Sequence, residues 1–176
     1  MMEMRRKVGL CFLGALGVLG AGCGADDPSM TSQQGTGGAG GVDFITCAAE
    51  TRATPYSAGM RETSISGAWT VKLLDNTFVV DGKALSEAPA KGTDTWAIEV
   101  DDATGKPTDG VVTGVSPWMP DHRHGTTPVM VSAAGAGTYT LNPLYLYMSG
   151  YWEITVNLTG TGSAADSAMF PICVPD

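Results

Sequence analysis

The sequence predicts an all-β domain, an antiparallel sandwich of about seven strands, and three observations carry that prediction. Short segments alternate apolar and polar residues with a period of two, as in Thr95-Trp-Ala-Ile-Glu-Val100, where Trp96, Ile98 and Val100 share one face. Gly, Pro, Asp and Asn clusters separate these segments at short intervals. No stretch of the region sustains the 3.6-residue period of an amphipathic helix.

The chain starts differently. Arg5, Arg6 and Lys7 precede an apolar run from Val8 to Leu19 that closes on Gly20-Ala-Gly-Cys23. The run falls short of the ~20 apolar residues a membrane span needs, so residues 1–22 read as a secretory signal peptide of the lipoprotein type. The ending Leu19-Gly-Ala-Gly-Cys23 resembles a bacterial lipobox, with leucine one place further out than usual, and makes Cys23 the lipidation site and first mature residue. Gly24 after the cysteine favours the outer membrane under the enterobacterial sorting rule. The expected address is therefore the cell envelope, lipid-anchored to the outer membrane or periplasmic. Residues 23–43 are rich in Gly, Ser, Thr, Gln and Ala and form a flexible tether without a core.

Residues 44–176 are long enough for one domain with its own core. In order, strands are expected at Ala68–Leu73, Thr95–Val100, Val111–Val115, Pro128–Val131, Thr138–Leu141, Leu144–Met148, Tyr151–Leu158 and Ala168–Val174. Asp101-Asp-Ala-Thr-Gly-Lys-Pro-Thr-Asp-Gly110 is dense in breakers and reads as a turn, and Ala133-Ala-Gly-Ala-Gly137 interrupts the chain again. In Tyr151–Leu158, Trp152, Ile154, Val156 and Leu158 take one face and Tyr151, Glu153, Thr155 and Asn157 the other. Gly137-Thr-Tyr139 resembles the Gly-x-Tyr of a tyrosine corner, which points to an immunoglobulin-like topology.

Four cysteines are present; Cys11 goes with the signal and Cys23 takes lipid, leaving Cys47 and Cys173 near the two ends of the domain. An oxidising compartment predicts a disulfide between them, closing a long loop and contributing roughly 4 to 5 kcal/mol in the entropic account. No Cys-x-x-Cys spacing argues for a redox pair. The formal net charge is −8, and loss of residues 1–22 removes Arg5, Arg6 and Lys7 against Glu3 alone. So acidic a domain has no long-range attraction for nucleic acid or anionic lipid.

Side-chain chemistry concentrates in Ser116-Pro-Trp-Met-Pro-Asp-His-Arg-His-Gly125, which holds both histidines of the chain. Pro117 and Pro120 restrict φ and Gly125 permits a sharp exit, so the stretch reads as a semi-rigid loop between two strands. The loop can present His122 and His124 together.

Gly92-Thr-Asp-Thr-Trp96, Asp101-Asp-Ala-Thr-Gly-Lys-Pro107, Trp118-Met-Pro-Asp-His-Arg-His-Gly125, Gly137-Thr-Tyr139 and Leu146-Tyr-Met-Ser-Gly-Tyr-Trp-Glu-Ile154 occur in this order. Together they resemble the YtkA-like domain family and its FixH-like relatives, over about Gly67 to Leu158. The resemblance implies a small immunoglobulin-like β-sandwich. Arg123 stands between the histidines where the family usually has glycine. The FixH-like relatives are associated with assembly of copper-containing oxidases, which implies a copper role.

The residue chemistry agrees with that implication: thioether sulfur and imidazole nitrogen suit Cu(I), and Met119, His122 and His124, completed by Met148 or Met130, make a soft donor set. A zinc site through His122, His124 and Asp121 is a weaker fit, since structural zinc wants four ligands. The bland alternative is that the methionines fill the core and the histidines hydrogen-bond locally, in a non-metal immunoglobulin-like module. Such a module would take a protein partner through the loop or through Tyr145, Tyr147 and Tyr151. Catalysis is not expected: Ser116, Asp121 and His122 are too close in sequence for a triad, and no nucleophile elbow or P-loop occurs.

Overall fold

The computed structural model describes residues 47–80, 83–160 and 165–176. The signal peptide 1–22, Cys23 and the tether 23–43 lie outside the described residues. Among the described residues no helix is long and apolar enough to cross a membrane. A 3-10 turn, Cys47–Ala49, is followed by β1 (Arg61–Thr63), β2 (Trp69–Val80), β3 (Lys83–Ser86), β4 (Gly92–Asp102) and β5 (Val112–Met119). Then come β6 (His124–Gly125), β7 (Met130–Gly135), β8 (Thr138–Leu146), β9 (Gly150–Thr159) and β10 (Ala165–Val174).

Two antiparallel sheets pack face to face. One has the order β1-β2-β4-β8-β7, with β3 also on β2; the other has the order β10-β9-β5-β6. Setting aside the three short strands β1, β3 and β6, the layers β2-β4-β8-β7 and β5-β9-β10 have the four-plus-three arrangement of the immunoglobulin fold. The inward residues expected from alternation form the core: Trp96, Ile98 and Val100 meet Trp152, Ile154, Val156, Phe170 and Ile172. Trp96 and Phe170 pack edge to face with ring centres 5.6 Å apart. Burying each side chain of this size contributes about 1.5 to 3 kcal/mol.

Two strands run further than their sequence pattern implies, for one physical reason. In β2 an extra residue separates the pairs Leu73↔Ile98 and Asp75↔Ala97, so Val71 and Leu73 point inward before the bulge and Asn76 after it. In β8 the pairs Asp94↔Leu144 and Trp96↔Leu141 bracket another bulge at Asn142–Pro143. The two segments expected at 138–141 and 144–148 are thus one strand, with Leu141 inward before the bulge and Leu144 and Leu146 inward after it.

The β4–β5 end is held by polar side chains on backbone. Asp102 accepts from the backbone amides of Thr104 and Lys106 and from the Thr104 hydroxyl, and these bonds keep its carboxyl below the usual range. The Tyr139 hydroxyl takes the Val111 amide at 3.0 Å and donates to the Thr108 carbonyl at 3.1 Å. The tyrosine thus bonds upstream backbone, as expected, but its partners lie 28 and 31 residues away where the chain crosses between sheets. Gly137 has φ +73°, and a Cβ there would stand 2.7 Å from both Pro107 Cβ and the Thr108 nitrogen. At the other end, Cys47 and Cys173 form the expected disulfide, with Cα atoms 5.6 Å apart.

Candidate functional site

The histidine stretch is a hairpin more than a loop. β5 continues through Ser116 to Met119, Met119 pairs with His124 and Trp118 with Gly125, and only residues 120–123 form the turn. The His122 amide donates to the Met119 carbonyl and the Arg123 amide to the Pro120 carbonyl. Arg123 takes a left-handed φ of 55°, which turns the chain between the histidines. Gly125 is required by proximity: a Cβ there would lie 2.7 Å from the Pro117 carbonyl oxygen.

The turn brings the two imidazoles together, with ring centres 5.9 Å apart and planes at 58°. The His124 Nδ1 lies 3.2 Å from the Gly125 carbonyl oxygen. A carbonyl can only accept, so Nδ1 is the donor in this contact, and in the neutral ring the lone pair falls on Nε2. The rings of His124 and Trp152 also pack edge to face, with centres 6.2 Å apart.

Met148 lies in the link between β8 and β9. It lines a cleft of about 540 Å³ together with His124, Thr126, Thr127, Tyr145, Tyr147 and Trp152. The same methionine lines a neighbouring hollow with His122, Lys91, Tyr147 and Ser149. Buried Trp152 fixes this link by donating its indole N–H to the Met148 carbonyl at 2.9 Å. Tyr145 and Tyr147 stack with ring centres 5.1 Å apart, and Tyr147 is 60% exposed.

Arg52 reaches the hairpin from the N-terminal segment. Its guanidinium donates to both carboxylate oxygens of Asp121, at 2.8 and 2.7 Å, and to Glu50 through Nε and Nη2. It also lies 4.3 Å over the Tyr151 ring. The Arg52 hydrogen bonds hold the Asp121 and Glu50 carboxyls below the usual carboxylate range. Burial raises the Tyr151 hydroxyl above its ordinary value.

Residues 79–157 match the family model described as YtkA-like. The chain carries a YtkA-like domain. The matched residues run from the end of β2 into β9 and take in the histidine hairpin, Met148 and Trp152. Cys47, Arg52 and Cys173 lie outside them. No curated protein and no solved structure matches the chain.

Of the donors expected for a metal, the YtkA-like domain gathers three at one end: His122 and His124 on the hairpin, and Met148 across the cleft. Met119 is 1% exposed and packs in the core. As the register partner of His124 it leaves the sheet on the same face and beside it, with Cβ atoms roughly 5 Å apart in such pairs. Met130 is 65% exposed on β7 and lines neither hollow.

Asp121, the third zinc ligand considered, is engaged by Arg52. Among the described residues no group of three or more His, Cys, Asp or Glu side chains is placed to hold a metal ion. What remains is two imidazoles with thioethers, a soft donor set. Two imidazoles binding one ion through nitrogens about 2.0 Å away keep their ring centres within roughly 6 Å, so the hairpin's spacing fits a shared ion.

The expected surface of Tyr145, Tyr147 and Tyr151 is corrected in one member. Tyr151 is on the outward face of β9, as its alternation requires, yet only 5% exposed because the Arg52 segment covers it. Sequence reasoning missed Arg52 altogether. It sits in a segment without periodicity, 69 residues from its carboxylate partner.

Proposed function

We propose that this YtkA-like domain is a cell-envelope module, carried on a lipid at Cys23 and placed at the outer membrane or in the periplasm, that binds one copper ion as Cu(I) through His122, His124 and Met148. One observation carries the reading: the two imidazoles stand 5.9 Å apart beside a methionine that lines the hollows of both. The Gly125 carbonyl leaves the His124 Nε2 lone pair free to ligate. Met119, the buried register partner of His124, adds a thioether on the same face of the sheet. A bound Cu(I) would supply a soft cation to be held and exchanged; the chain's own part is to orient the imidazoles and shield them with Tyr147 and Trp152. The domain acts as a binding protein and not as an enzyme.

The test is a Cu(I) competition titration against a chromophoric chelator, with the full chain and a His122→Ala/His124→Ala variant. One-to-one binding lost in the variant supports the reading; equal binding by both, or none by either, overturns it. A second reading, capture of a protein partner, is favoured by the exposed Tyr147 stacked on Tyr145 along the cleft. It predicts binding that ignores metal and falls on Tyr147→Ala.

A further inference from the structure

The N-terminal segment is fastened at several points before it reaches the hairpin. Cys47 is bonded to Cys173 on β10, and the Thr54 amide donates to the Pro171 carbonyl at 2.8 Å. Between these two anchors stands Arg52, using Nε, Nη1 and Nη2 at once on Glu50 and Asp121 while its plane lies over Tyr151. Asp121 directly precedes His122 in a four-residue turn. A bidentate, stacked guanidinium fixes a carboxylate in both distance and orientation, which a flexible ammonium does not.

We propose that Arg52 is a positioning residue of the histidine hairpin, and that the Cys47–Cys173 disulfide, by holding the segment that carries Arg52, links the hairpin's metal affinity to the redox state of the domain. The proposal rests on the Cu(I) reading above for its ligand. None of Cys47, Arg52 and Cys173 lies within the YtkA-like match, whereas the hairpin they restrain does. When a dithiol reduces the bond, the S–S bond breaks, each sulfur takes a proton and an electron from the dithiol, and the dithiol closes to its own disulfide. The segment then loses its covalent anchor and keeps its hydrogen bonds, ion pairs and the packing of Tyr56. The turn carrying His122 gains freedom, and ordering it becomes part of the work of binding the ion.

The experiment compares the full chain with Arg52→Gln, Arg52→Lys, Cys47→Ser/Cys173→Ser and the combination of Arg52→Gln with both serines. Serine is used because freed thiols would themselves bind Cu(I). Two readouts are taken: Cu(I) affinity by competition, and metal-free hydrogen exchange of the His122 and Arg123 amides, whose acceptors are Met119 and Pro120. Arg52→Gln is expected to lower affinity about tenfold, the low end for residues that orient metal ligands. Arg52→Lys should restore part of it. The serine pair should lower it similarly and the combination no further, because both act through one contact.

Both amides should exchange faster in every variant that loses affinity. Unchanged exchange in Arg52→Gln overturns the proposal, as does faster exchange with unchanged affinity. Additive losses in the combination overturn the disulfide link. If the parent chain binds no Cu(I), the copper reading fails by itself, and the exchange rates still decide whether Arg52 and the disulfide order the turn.

Discussion

At the end of the sandwich where β4 passes into β5, Asp102, Asp109 and Tyr139 hold backbone groups, and Gly137 lets the β7–β8 turn press on Pro107. At the opposite end a cleft stands open between the hairpin and the β8–β9 link, Tyr147 is exposed, and the hairpin is restrained from outside by Arg52. Asp94 Oδ2, Asn76 Oδ1 and Trp96 Nε1 are buried without partners on the inner faces of β4 and β2, as is Asp101 Oδ1 near the tied end. The first end uses its polar groups to close the fold, and the second leaves chemistry available at some cost in stability.

The sharpest test of this contrast is the restraint itself. Cys47→Ser/Cys173→Ser removes a cross-link spanning 126 residues and should lower stability by about 5 kcal/mol, read as the urea midpoint. A loss under about 1 kcal/mol would mean that the open end holds itself without the bond. At the tied end, Gly137→Ala should cost on the order of 3 kcal/mol, since both the left-handed φ and the backbone of Thr108 oppose a side chain. Retention of parental stability would show that this end is not rigid.

Asp94 sets a pH test. Burial raises its carboxyl to about 6 from an ordinary 3.8. The folded state thus takes up a proton the unfolded chain does not, so Asp94's contribution is fully present below about 3.8 and is lost as pH rises through about 6. Asp94→Asn should therefore be more stable than the parent by about 2 kcal/mol at pH 7, with the gap closing by about pH 4. A variant less stable at both values would show that the charged carboxylate is satisfied in place.

Smaller effects complete the series. Tyr139→Phe removes an acceptor from the buried Val111 amide and should cost about 1 to 2 kcal/mol in thermal or urea unfolding. Asp121→Asn breaks only a half-exposed ion pair, so its effect on unfolding should be the smallest of the series. Matching costs for these two would erase the distinction between a structural end and a positioned site.

Alternation made much of the fold readable. The inward set Trp96, Ile98, Val100, Trp152, Ile154, Val156 and Leu158 is buried as the period of two requires, and the strand count placed the chain among immunoglobulin-like sandwiches. The breaker-rich turn at 101–110 and the Cys47–Cys173 pair were legible too, because turn chemistry and cysteine count are local or combinatorial properties. So was the concentration of His122, His124 and Met119 in one stretch.

Alternation fixes a face within a strand but says nothing of what crosses that face, and it reverses unseen at a bulge. Only the tertiary structure therefore decided that Asn76 and Asp94 face the core, that Leu141 and Leu144 belong to one strand, and that outward Tyr151 is covered while Tyr147 is not. It likewise decided that Met119 turns inward beside His124, that Met148 arrives from another strand pair, and that Asp121 is held by Arg52 from 69 residues away. Contacts of that separation depend on how the two sheets and the N-terminal segment pack, and no local pattern encodes them.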